Sequence, residues 1–470
     1  MLMAYADKVQ DTKIGSLDLE TYGSEQDGLG KFTVYAGGCA LSDGYKALYY
    51  NDKDKGLNSG EDIIHKMFEE LFNYIAEDKK ARNGHTLYAH NLGRFDSVFL
   101  LKSLASAGYD LKAKWRENDI LSIRISDKGR KLNIKLMDSI KIVPTSLDKL
   151  LKSFDCKIIK GMFPHKFVNQ NNLNYIGLPA PQLRSSAAPQ WGTKPQIKYY
   201  LDDHKINEDT NAEYALIPDD INLKEKCLEY LDKDVLGLLE AMNKVNDHYY
   251  KEYNLNITKF STLPSFSLAM FGYWFYNPVL NSKKFIKIIK GPLESFIRQA
   301  YFGGNSDIFV TGNDRFVSEG LHYDMNSQYP NAMKKRMATG QPVFSNNTDL
   351  NYYTLGFVFA KITAPTEDIL PNLFIQKRNE DGSVSCPRES FYEYISTEDL
   401  RQGLEYGYKA EILCGVNFPD ACEEGDLFGN FVDTLYDIKS SAIDNVQKSI
   451  AKLTLNSTYG KFGQALTGGL

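Results

Sequence analysis

The sequence predicts a mixed α/β protein with more than one domain. Residues 14–50 carry the alternating apolar pattern of strands, and residues 61–77 follow with an apolar stripe at helical spacing. A second helical pattern covers residues 223–247, and both patterns recur within residues 345–425. Strands and helices interleaved in this way favour α/β domains over an all-helical or all-strand fold.

Composition is that of an ordinary globular protein. The chain has 470 residues, which is enough for two to four domains, with 43% hydrophobic and 24% charged residues. The six cysteines are scattered without zinc-site spacing and indicate reduced thiols. A formal net charge of −5 predicts no global basic field, so any contact with nucleic acid would need local patches such as Lys283–Lys290 and Lys334–Arg336.

The predicted elements can be placed in chain order. Residues 170–222 are rich in Asn, Pro, Gln and Ser and predict an inserted loop region. The N-terminal half predicts strands in 14–50, a helix at 61–77, a strand at Leu87–His90, a helix at Asp96–Ala107, a hairpin at 119–138, a helix capped by Ser146 and a helix at 223–247. The C-terminal half predicts a basic helix at Lys283–Lys290, strands at 354–362 and 407–416, a helix at 397–405 and a long helix at 427–463.

The first pattern that carries chemistry is a pair of carboxylates. Asp18 and Glu20 lie two residues apart on a predicted strand, so both side chains point to one face. Two close carboxylates repel each other, and a divalent metal ion would relieve that repulsion. The alternative is a solvent-facing edge strand, but the flanking leucines favour burial.

Two further patterns carry acids. Asn91, Phe95 and Asp96 follow a predicted strand, and Asp96 falls at a helix start, where an aspartate also serves as a simple cap. Tyr230 and Asp234 lie four residues apart on a predicted helix and therefore share a face.

The C-terminal half contains a different set. Asp324 ends an apolar approach that predicts a strand, and Tyr329 follows it in the pattern D-x-x-S-x-Y-P. Lys452, Asn456 and Tyr459 are spaced to share one helical face, which Lys448 extends by one turn. A cation and an aromatic ring on one face suit a nucleoside triphosphate, although a lysine stripe is often only a solvated face. The glycines of Tyr301-Phe-Gly303-Gly304 would allow close approach to a phosphate, or form an ordinary turn.

Taken together, these segments resemble the motifs of the protein-primed family B DNA polymerases of linear mitochondrial plasmids and terminal-protein phages. The resemblance runs from about residue 14 to residue 463. The matching segments are the three exonuclease motifs (D-x-E at Asp18, N-x-x-x-F-D at Asn91 and Y-x-x-x-D at Tyr230), Y-x-G-G at Tyr301, motif A at Asp324 and motif B at Lys452.

The resemblance implies a fold and a first active site. It implies a ribonuclease-H-like 3′→5′ exonuclease domain at residues 1–254, followed by an incomplete palm and fingers. In the exonuclease, Asp18, Glu20, Asp96 and Asp234 would hold two Mg²⁺ ions, which Mn²⁺ can replace. Tyr230 would orient the attacking water, and Lys160, in a K-x-x-h motif, would assist catalysis. Thr21, Asn91 and Phe95 would position the 3′-terminal nucleotide, and Ser146 and Leu147 match a motif for single-stranded DNA and terminal-protein contact.

The resemblance also implies a polymerase site and its partners. Asp324 would bind a catalytic metal ion, and Tyr329, Lys448, Lys452, Asn456 and Tyr459 would bind the incoming dNTP. Tyr301, Gly303 and Gly304 would contact primer-template DNA. The predicted divisions are a connector with the start of the palm at 255–335, a terminal-protein-region insertion at 336–425 and fingers at 426–470. The expected partners are DNA, dNTPs and a terminal protein primer, with no membrane and a monomeric state.

One departure qualifies these expectations. The family's motif C, which carries the second polymerase aspartate, is not found; Tyr200–Asp203 and Tyr230–Asp234 look similar but precede motif A. The chain is therefore expected to be a fragment of a longer polymerase and not to extend a primer by itself. The alternatives are a truncated product active only as an exonuclease and an inactive remnant that binds DNA or terminal protein. No targeting signal is visible, and relatives on mitochondrial plasmids imply a mitochondrial location.

Overall fold

The chain divides into two compact units. The computed structural model describes residues 6–24, 31–77, 83–177, 214–215, 221–276, 285–304, 320–365, 374–442 and 445–464. The first unit comprises Ala6–Ser267 together with the segment that begins at Lys439, and the second unit comprises Leu268–Ile438. This division is coarser than the four predicted domains, whose boundaries stay predictions.

The first unit contains a seven-stranded sheet in the order β3-β2-β1-β4-β7-β6-β5. Strands β1, β4 and β7 run parallel to one another, and the remaining pairs are antiparallel. The strands are β1 Ile14–Ser24, β2 Lys31–Leu41, β3 Lys46–Tyr50, β4 Asn83–Ala89, β5 Asp110–Arg116, β6 Asp119–Asp127 and β7 Leu132–Asp138.

Helices cover both faces of this sheet. Leu17 and Leu19 of β1 belong to one buried apolar cluster with Phe68 of the first helix. On the other face, Ser16 Oγ donates a 2.7 Å hydrogen bond to the carbonyl of Val235 in the fourth helix. The helices are α1 Gly60–Glu77, α2 Asp96–Ser106, α3 Leu147–Ser153, α4 Leu223–Tyr253, α5 Leu263–Met270, which crosses the division, and the last helix, Asn445–Phe462.

The second unit is built on a four-stranded antiparallel sheet in the order β12-β9-β13-β8, with a separate two-stranded hairpin β10-β11. The strands are β8 Val343–Ser345, β9 Gly356–Thr363, β10 Lys377–Arg378, β11 Val384–Ser385, β12 Ser390–Ser396 and β13 Lys409–Asn417. The helices are α6 Pro292–Gln299, α7 Gln328–Met333, α8 Thr397–Glu405 and α9 Gly429–Ser441, and a π-helical turn spans Phe271–Tyr276. The last helix of the first unit is therefore α10.

Substitution of Gly356 by alanine is expected to destabilise the second unit by about 1–3 kcal/mol. Gly356 begins β9, and a Cβ there would collide with the carbonyl oxygen of Val416 on the paired strand β13. Chemical denaturation would measure the free energy of unfolding. The matched control is Gly429→Ala at the start of α9, where a Cβ meets nothing within 4 Å. Equal stability of the two variants would contradict the expectation.

Most predicted elements are confirmed, with three corrections. The predicted helix at 283–290 is wrong for the described residues 285–290. The Phe285 carbonyl accepts a hydrogen bond from the Gly340 amide, and the Ile286 amide donates to the Tyr276 hydroxyl at 2.6 Å. These backbone groups therefore bond to residues distant in sequence and not within a helix. The pattern at 427–463 forms two helices, and the first ends at the weak helix formers Ser440 and Ser441. The strand predicted before Asp324 is wrong for the described residues 320–323, which pair with no strand in the described part of the chain.

Several predicted features fall elsewhere. Strands β5 and β12 were not predicted, since charged residues interrupt their apolar patterns. Most of the loop region at 170–222, including Tyr200–Asp203, lies outside the described residues, as do Lys283 and Lys284. None of the helices in the described part of the chain combines the length and apolar character that a membrane crossing needs.

Candidate active site

Three carboxylates from two elements meet on one face of the seven-stranded sheet. Asp18 and Glu20 lie two residues apart on β1, and both point to the side on which α4 packs. Asp234 is supplied by α4. Oxygen atoms of the three side chains lie within 4.8 Å of one another. We call Asp18, Glu20 and Asp234 the carboxylate cluster, and the predicted burial of the strand is confirmed.

Burial and mutual repulsion raise the pKa values of two carboxyl groups in this cluster. The pKa of Asp18 is raised well above its usual value, first by burial and then by the charges of Glu20, Asp234 and Asp96. Burial also raises the pKa of Asp234, against the opposing effect of Lys160. A cation bound between such carboxylates would favour their charged form and lower these pKa values.

Asp96, the fourth predicted acid, is close but separate. It is the first residue of α2, it is 3% exposed, and its charge raises the pKa of Asp18. Among the described residues, its oxygens do not join the cluster within 4.8 Å. Its own pKa is raised to about 7, first by burial and then by the charge of Asp138.

Tyr230 and Lys160 lie where the sequence predicts. Tyr230 is buried one helical turn before Asp234 on α4, and its hydroxyl forms a hydrogen bond with that carboxyl group. Burial and the neighbouring carboxylates raise the pKa of Tyr230, so the hydroxyl keeps its proton. Lys160 Nζ lies 3.6 Å from Asp234 Oδ2 and 5.5 Å from the centre of the Tyr230 ring. The structure therefore brings one cation to the cluster.

His165 is a neighbour of the cluster that the sequence argument missed. Its Nδ1 lies 3.6 Å from Glu20 Oε2, and its ring meets the Tyr230 ring edge-on at 5.0 Å between centres. Phe163 packs on both rings, at 5.0 Å and 5.4 Å between centres. His165 lies five residues after Lys160 in the sequence, and this proximity to a predicted catalytic residue is the signal that could have identified it.

Asp138 is the second missed residue, and it fixes the turn that leads to Asp96. This fully buried side chain ends β7 and accepts backbone N–H groups from Asn91 and Gly93 at 3.0 Å and from Ile140 at 3.1 Å. Asn91 adopts φ 68°, a left-handed conformation that needs such support. An acid at the carboxyl end of a parallel strand was the available signal.

The same turn is held from its other side. Asp119, at the start of β6, and the carbonyl of Ile120 leave no room for a Cβ at Gly93. Lys141 forms an ion pair with Asp119. The turn is therefore enclosed by β6 and β7, which explains why a glycine occupies position 93.

The residues predicted to hold a nucleotide lie around this turn. Thr21 follows Glu20 at a β-bulge between β1 and β2. Phe95 immediately precedes α2, and its half-buried ring meets Phe32 at 5.4 Å and Phe99 at 5.6 Å between centres. Phe32 is exposed and was not among the predicted residues.

Ser146 and Leu147 have a local structural explanation. Ser146 caps α3 by accepting the Lys149 amide at 3.4 Å, and Leu147 is buried beneath that helix. Another serine, Ser139, is buried beside the turn that follows β4, and its hydroxyl lies 2.9 Å from His90 Nδ1. The DNA role of Ser146 and Leu147 stays a prediction.

The residues present fit a divalent metal ion. Three buried carboxylates converge within 4.8 Å, and oxygen donors of this kind are what Mg²⁺ prefers. Asp234 Oδ1 is buried and has no hydrogen-bond partner among the described residues. A buried carboxylate oxygen without a hydrogen-bond partner, inside a cluster of repelling charges, fits the role of a metal ligand.

Metal-free protein is expected to lose stability as pH rises from about 4 to about 7. The pKa of Asp96 is about 7 in the folded chain against a usual 3.8, so the folded state binds the proton more tightly. Protonated Asp96 stabilises the fold fully below pH 4. This contribution, up to about 4 kcal/mol, is lost as the pH rises to about 7. Denaturation in EDTA at several pH values would measure it, with Asp96→Asn as the control whose profile is less steep, since Asp18 and Asp234 still contribute. Equal pH profiles for wild type and Asp96→Asn would contradict the expectation.

The second unit carries the D-x-x-S-x-Y-P segment on its surface. Asp324 is exposed, and Ser327 adopts φ 52° just before the short helix α7. Tyr329 is on that helix, and its hydroxyl lies beside Gly304, 3.4 Å from the position of a Cβ there. Tyr301 is also exposed. The structure thus places the Y-x-G-G segment next to Tyr329, as one site would require.

The predicted polar face of α10 is present. Lys448, Lys452, Asn456 and Tyr459 are exposed along one side of the helix. On the other side, the Thr454 hydroxyl is buried and shares a 2.8 Å hydrogen bond with the Tyr249 hydroxyl of α4. This face belongs to the first unit and Asp324 to the second, and the nucleotide-binding roles stay predictions.

Comparisons with known proteins agree with the motifs. A family model for DNA polymerase type B, organellar and viral, matches residues 77–468. A probable DNA polymerase of Agaricus bitorquis is 60% identical over 99% of this chain, one of Podospora anserina is 27% identical over 97%, and the DNA polymerase of Bacillus phage M2 is 26% identical over 80%. The chain spans 56%, 39% and 59% of the lengths of these relatives.

The fold agrees as well. Phi29 DNA polymerase complexed with primer-template DNA superposes with a TM-score of 0.62 at 21% identity, over 98% of this chain and 69% of that chain. Its orthorhombic crystal form gives a TM-score of 0.61 over 97% of this chain. At this identity the likeness concerns the fold alone, and it confirms the mixed α/β class.

Proposed function

Because the chain belongs to the organellar and viral type B DNA polymerases, we propose that its first unit is a ribonuclease-H-like 3′→5′ exonuclease domain that proofreads newly made DNA. The observation that carries this proposal is the carboxylate cluster. Asp18, Glu20 and Asp234 converge within 4.8 Å inside a sheet-and-helix unit, which is the arrangement that metal-assisted phosphodiester hydrolysis needs.

The residues around the cluster have separate roles in this reaction. Divalent ions such as Mg²⁺ or Mn²⁺, held by the carboxylate cluster with Asp96 nearby, supply charge compensation for the phosphate and a more nucleophilic water. Tyr230 keeps its proton and positions the water that attacks phosphorus. Lys160 places a cation beside Asp234, where negative charge grows as the bond to the preceding 3′ oxygen breaks.

The turn after β4 holds the strand that is cut. Asn91 and Thr21 would contact the sugar and phosphate of the terminal nucleotide. Phe95, supported by Phe32 and Phe99, offers a ring against which its base can stack. Release of one nucleoside monophosphate then leaves a new 3′ hydroxyl.

The complete activity we propose is protein-primed, DNA-directed synthesis of linear DNA. Asp324 would bind a metal ion, Tyr329 and the exposed face of α10 would bind the dNTP, and Tyr301, Gly303 and Gly304 would contact primer-template DNA. The segment 336–425 would contact a terminal protein primer. A mitochondrial location and a monomeric state complete the proposal, and cell fractionation and sedimentation test them.

A labelled-primer assay tests the nuclease proposal. The purified chain is incubated with Mg²⁺ and a 5′-labelled primer-template, with and without dNTPs and with EDTA as a control. Shortening of the primer that EDTA stops is the expected result. A primer that stays intact under all conditions favours an inactive chain that binds DNA or terminal protein, and extension with dNTPs contradicts the expectation that this chain does not extend a primer.

A further inference from the structure

A row of cations crosses three strands at one end of the seven-stranded sheet. Lys112 of β5 lies directly opposite Arg124 of β6, which in turn lies directly opposite Lys135 of β7. Neighbouring strands are about 4.8 Å apart, so three like charges occupy about 10 Å on one face. Lys114, two residues after Lys112, extends the same face. Like charges directly opposite one another destabilise a sheet, so this arrangement calls for a counter-charge.

In the described part of the chain, Asp11 near Lys135 supplies only a partial counter-charge. None of Lys112, Lys114, Arg124 and Lys135 forms an ion pair with a carboxylate in the described part of the chain. Lys135 Nζ instead donates to the carbonyl of Thr258 at 3.0 Å. We call these four residues the basic row.

Lys334–Arg336, the basic patch predicted from the sequence, differs from the basic row in its ion pairs. Lys334 pairs with Asp433 at 2.7 Å, Lys335 with Glu424 at 2.9 Å, and Arg336 with Glu423 at 2.8 Å. These three cations are already neutralised within the second unit. The basic row, dispersed through the sequence, is the stronger positive feature.

Proton affinities support the same conclusion. The pKa of Lys135 is lowered to about 8, first by burial and then by the charges of Lys114 and Arg124. The pKa of Lys461, near the end of α10, is lowered by burial and then by Arg116 and Lys114. Arg116 and Lys461 therefore adjoin the basic row, and Arg116 lies directly opposite Asp119 of β6.

The basic row lies on the same face of the sheet as the carboxylate cluster. Ile123 and Ile125, which flank Arg124, belong to the apolar cluster that also contains Leu17 and Leu19. Side chains alternate along each strand, so Arg124 and Lys135 share the opposite face with Asp18 and Glu20.

The separation can be read from the strand register. Lys135 pairs with Thr86 of β4, and Thr86 pairs with Ile14 of β1, four residues before Asp18. Two strand spacings and four residues along a strand put Lys135, on the strand of the basic row nearest to β1, roughly 16 Å from Asp18. That distance is within reach of a few nucleotides of one DNA strand.

We propose that the basic row binds the phosphate backbone of single-stranded DNA whose 3′ end enters the carboxylate cluster. The inference rests on the proposed nuclease function, and it adds a second contact surface for its substrate. Charge complementarity selects a polyanion. A single strand is the form whose 3′ end the proposed nuclease hydrolyses, so the proposal commits to single-stranded DNA.

The test is binding of fluorescein-labelled oligothymidylate by the full chain, followed by fluorescence anisotropy in EDTA, where no hydrolysis interferes. The variant is Lys112→Gln/Lys114→Gln/Arg124→Gln. We expect roughly tenfold weaker binding, and a plot of log affinity against log salt that is shallower by about 2, since each lost contact with a single strand removes about 0.7.

Matched variants separate charge from folding. Lys53→Gln/Lys55→Gln/Lys128→Gln removes three exposed lysines of the same unit and should bind like the wild type. Lys112→Arg/Lys114→Arg/Arg124→Lys keeps the charges and should also bind like the wild type. An unchanged salt slope in the first variant, equal weakening by the control, or an effect on blunt duplex without one on oligothymidylate would overturn the proposal.

A measurement without substitutions gives a second test. Oligothymidylate is expected to protect Lys112 and Lys114 from acetylation of the wild-type chain, as read by mass spectrometry; unprotected lysines overturn the proposal. Failure of the nuclease function is distinguishable, because a primer left intact with Mg²⁺ while binding keeps its charge dependence removes the nuclease and leaves the surface.

Discussion

Replacing Asp18 and Glu20 together by alanine is expected to lower the rate of 3′→5′ hydrolysis by about a thousandfold or more. The double change removes two of the three carboxylates that converge within 4.8 Å, so a cation would lose most of its ligands. Shortening of a 5′-labelled oligonucleotide in Mg²⁺ measures the rate. The assay uses a single-stranded oligonucleotide, because its 3′ end needs no unpairing before hydrolysis.

Loss of activity through unfolding can be separated from loss of chemistry. Removing two repelling buried carboxylates should leave the metal-free fold as stable as the wild type or more so at pH 7, since sites of function often store such strain. The matched control is Asp232→Ala, whose carboxylate lies two residues before Asp234 on α4 and pairs with Lys46 at the surface. Hydrolysis by the double variant at the rate of this control would refute the assignment.

Asp138→Ala is expected to destabilise the first unit by about 3 kcal/mol or more and to reduce hydrolysis with it. The change leaves the backbone N–H groups of Asn91, Gly93 and Ile140 without their acceptor in the protein interior. Each such group costs about 1–3 kcal/mol. Denaturant titration measures the loss of stability, and the labelled-oligonucleotide assay measures the loss of activity.

The control for this second expectation is a surface aspartate. Asp148 pairs with Lys152 on the exposed side of α3, and Asp148→Ala should change stability by less than about 1 kcal/mol. Asp138→Asn should fall between the two, because one oxygen that accepts an N–H remains. Stability of Asp138→Ala equal to that of Asp148→Ala would contradict the role assigned to the buried carboxyl.

How much the sequence predicts depends on whether a pattern is local. Asp18 and Glu20 are two residues apart, and Tyr230 and Asp234 four apart, so strand and helix periods alone place each pair on one face. Asp138 and His165 reach the site through the order of strands and the path of a loop, which no local period encodes. Their roles therefore appear only in three dimensions.

Charge shows the same limit. Lys334–Arg336 stands out as a run in the sequence, yet each of its cations has a carboxylate partner. Lys112, Arg124 and Lys135 form no run in the sequence, because they lie on three successive strands, and the register of β5, β6 and β7 makes them neighbours. A run of basic residues shows only that they are neighbours along the chain. The charge of a surface depends on which side chains are close in three dimensions and on their ion pairs.

The interrupted make-up of the first unit affects how the protein is made. Its body ends at Ser267, but α10, with Thr454 bonded to Tyr249, is synthesised only after the whole second unit. On the ribosome, the face of α4 that packs against α10 therefore lacks its partner while about 170 further residues are synthesised. Contacts so distant in sequence form late and slowly, which lengthens the period in which the nascent chain is open to proteases and chaperones.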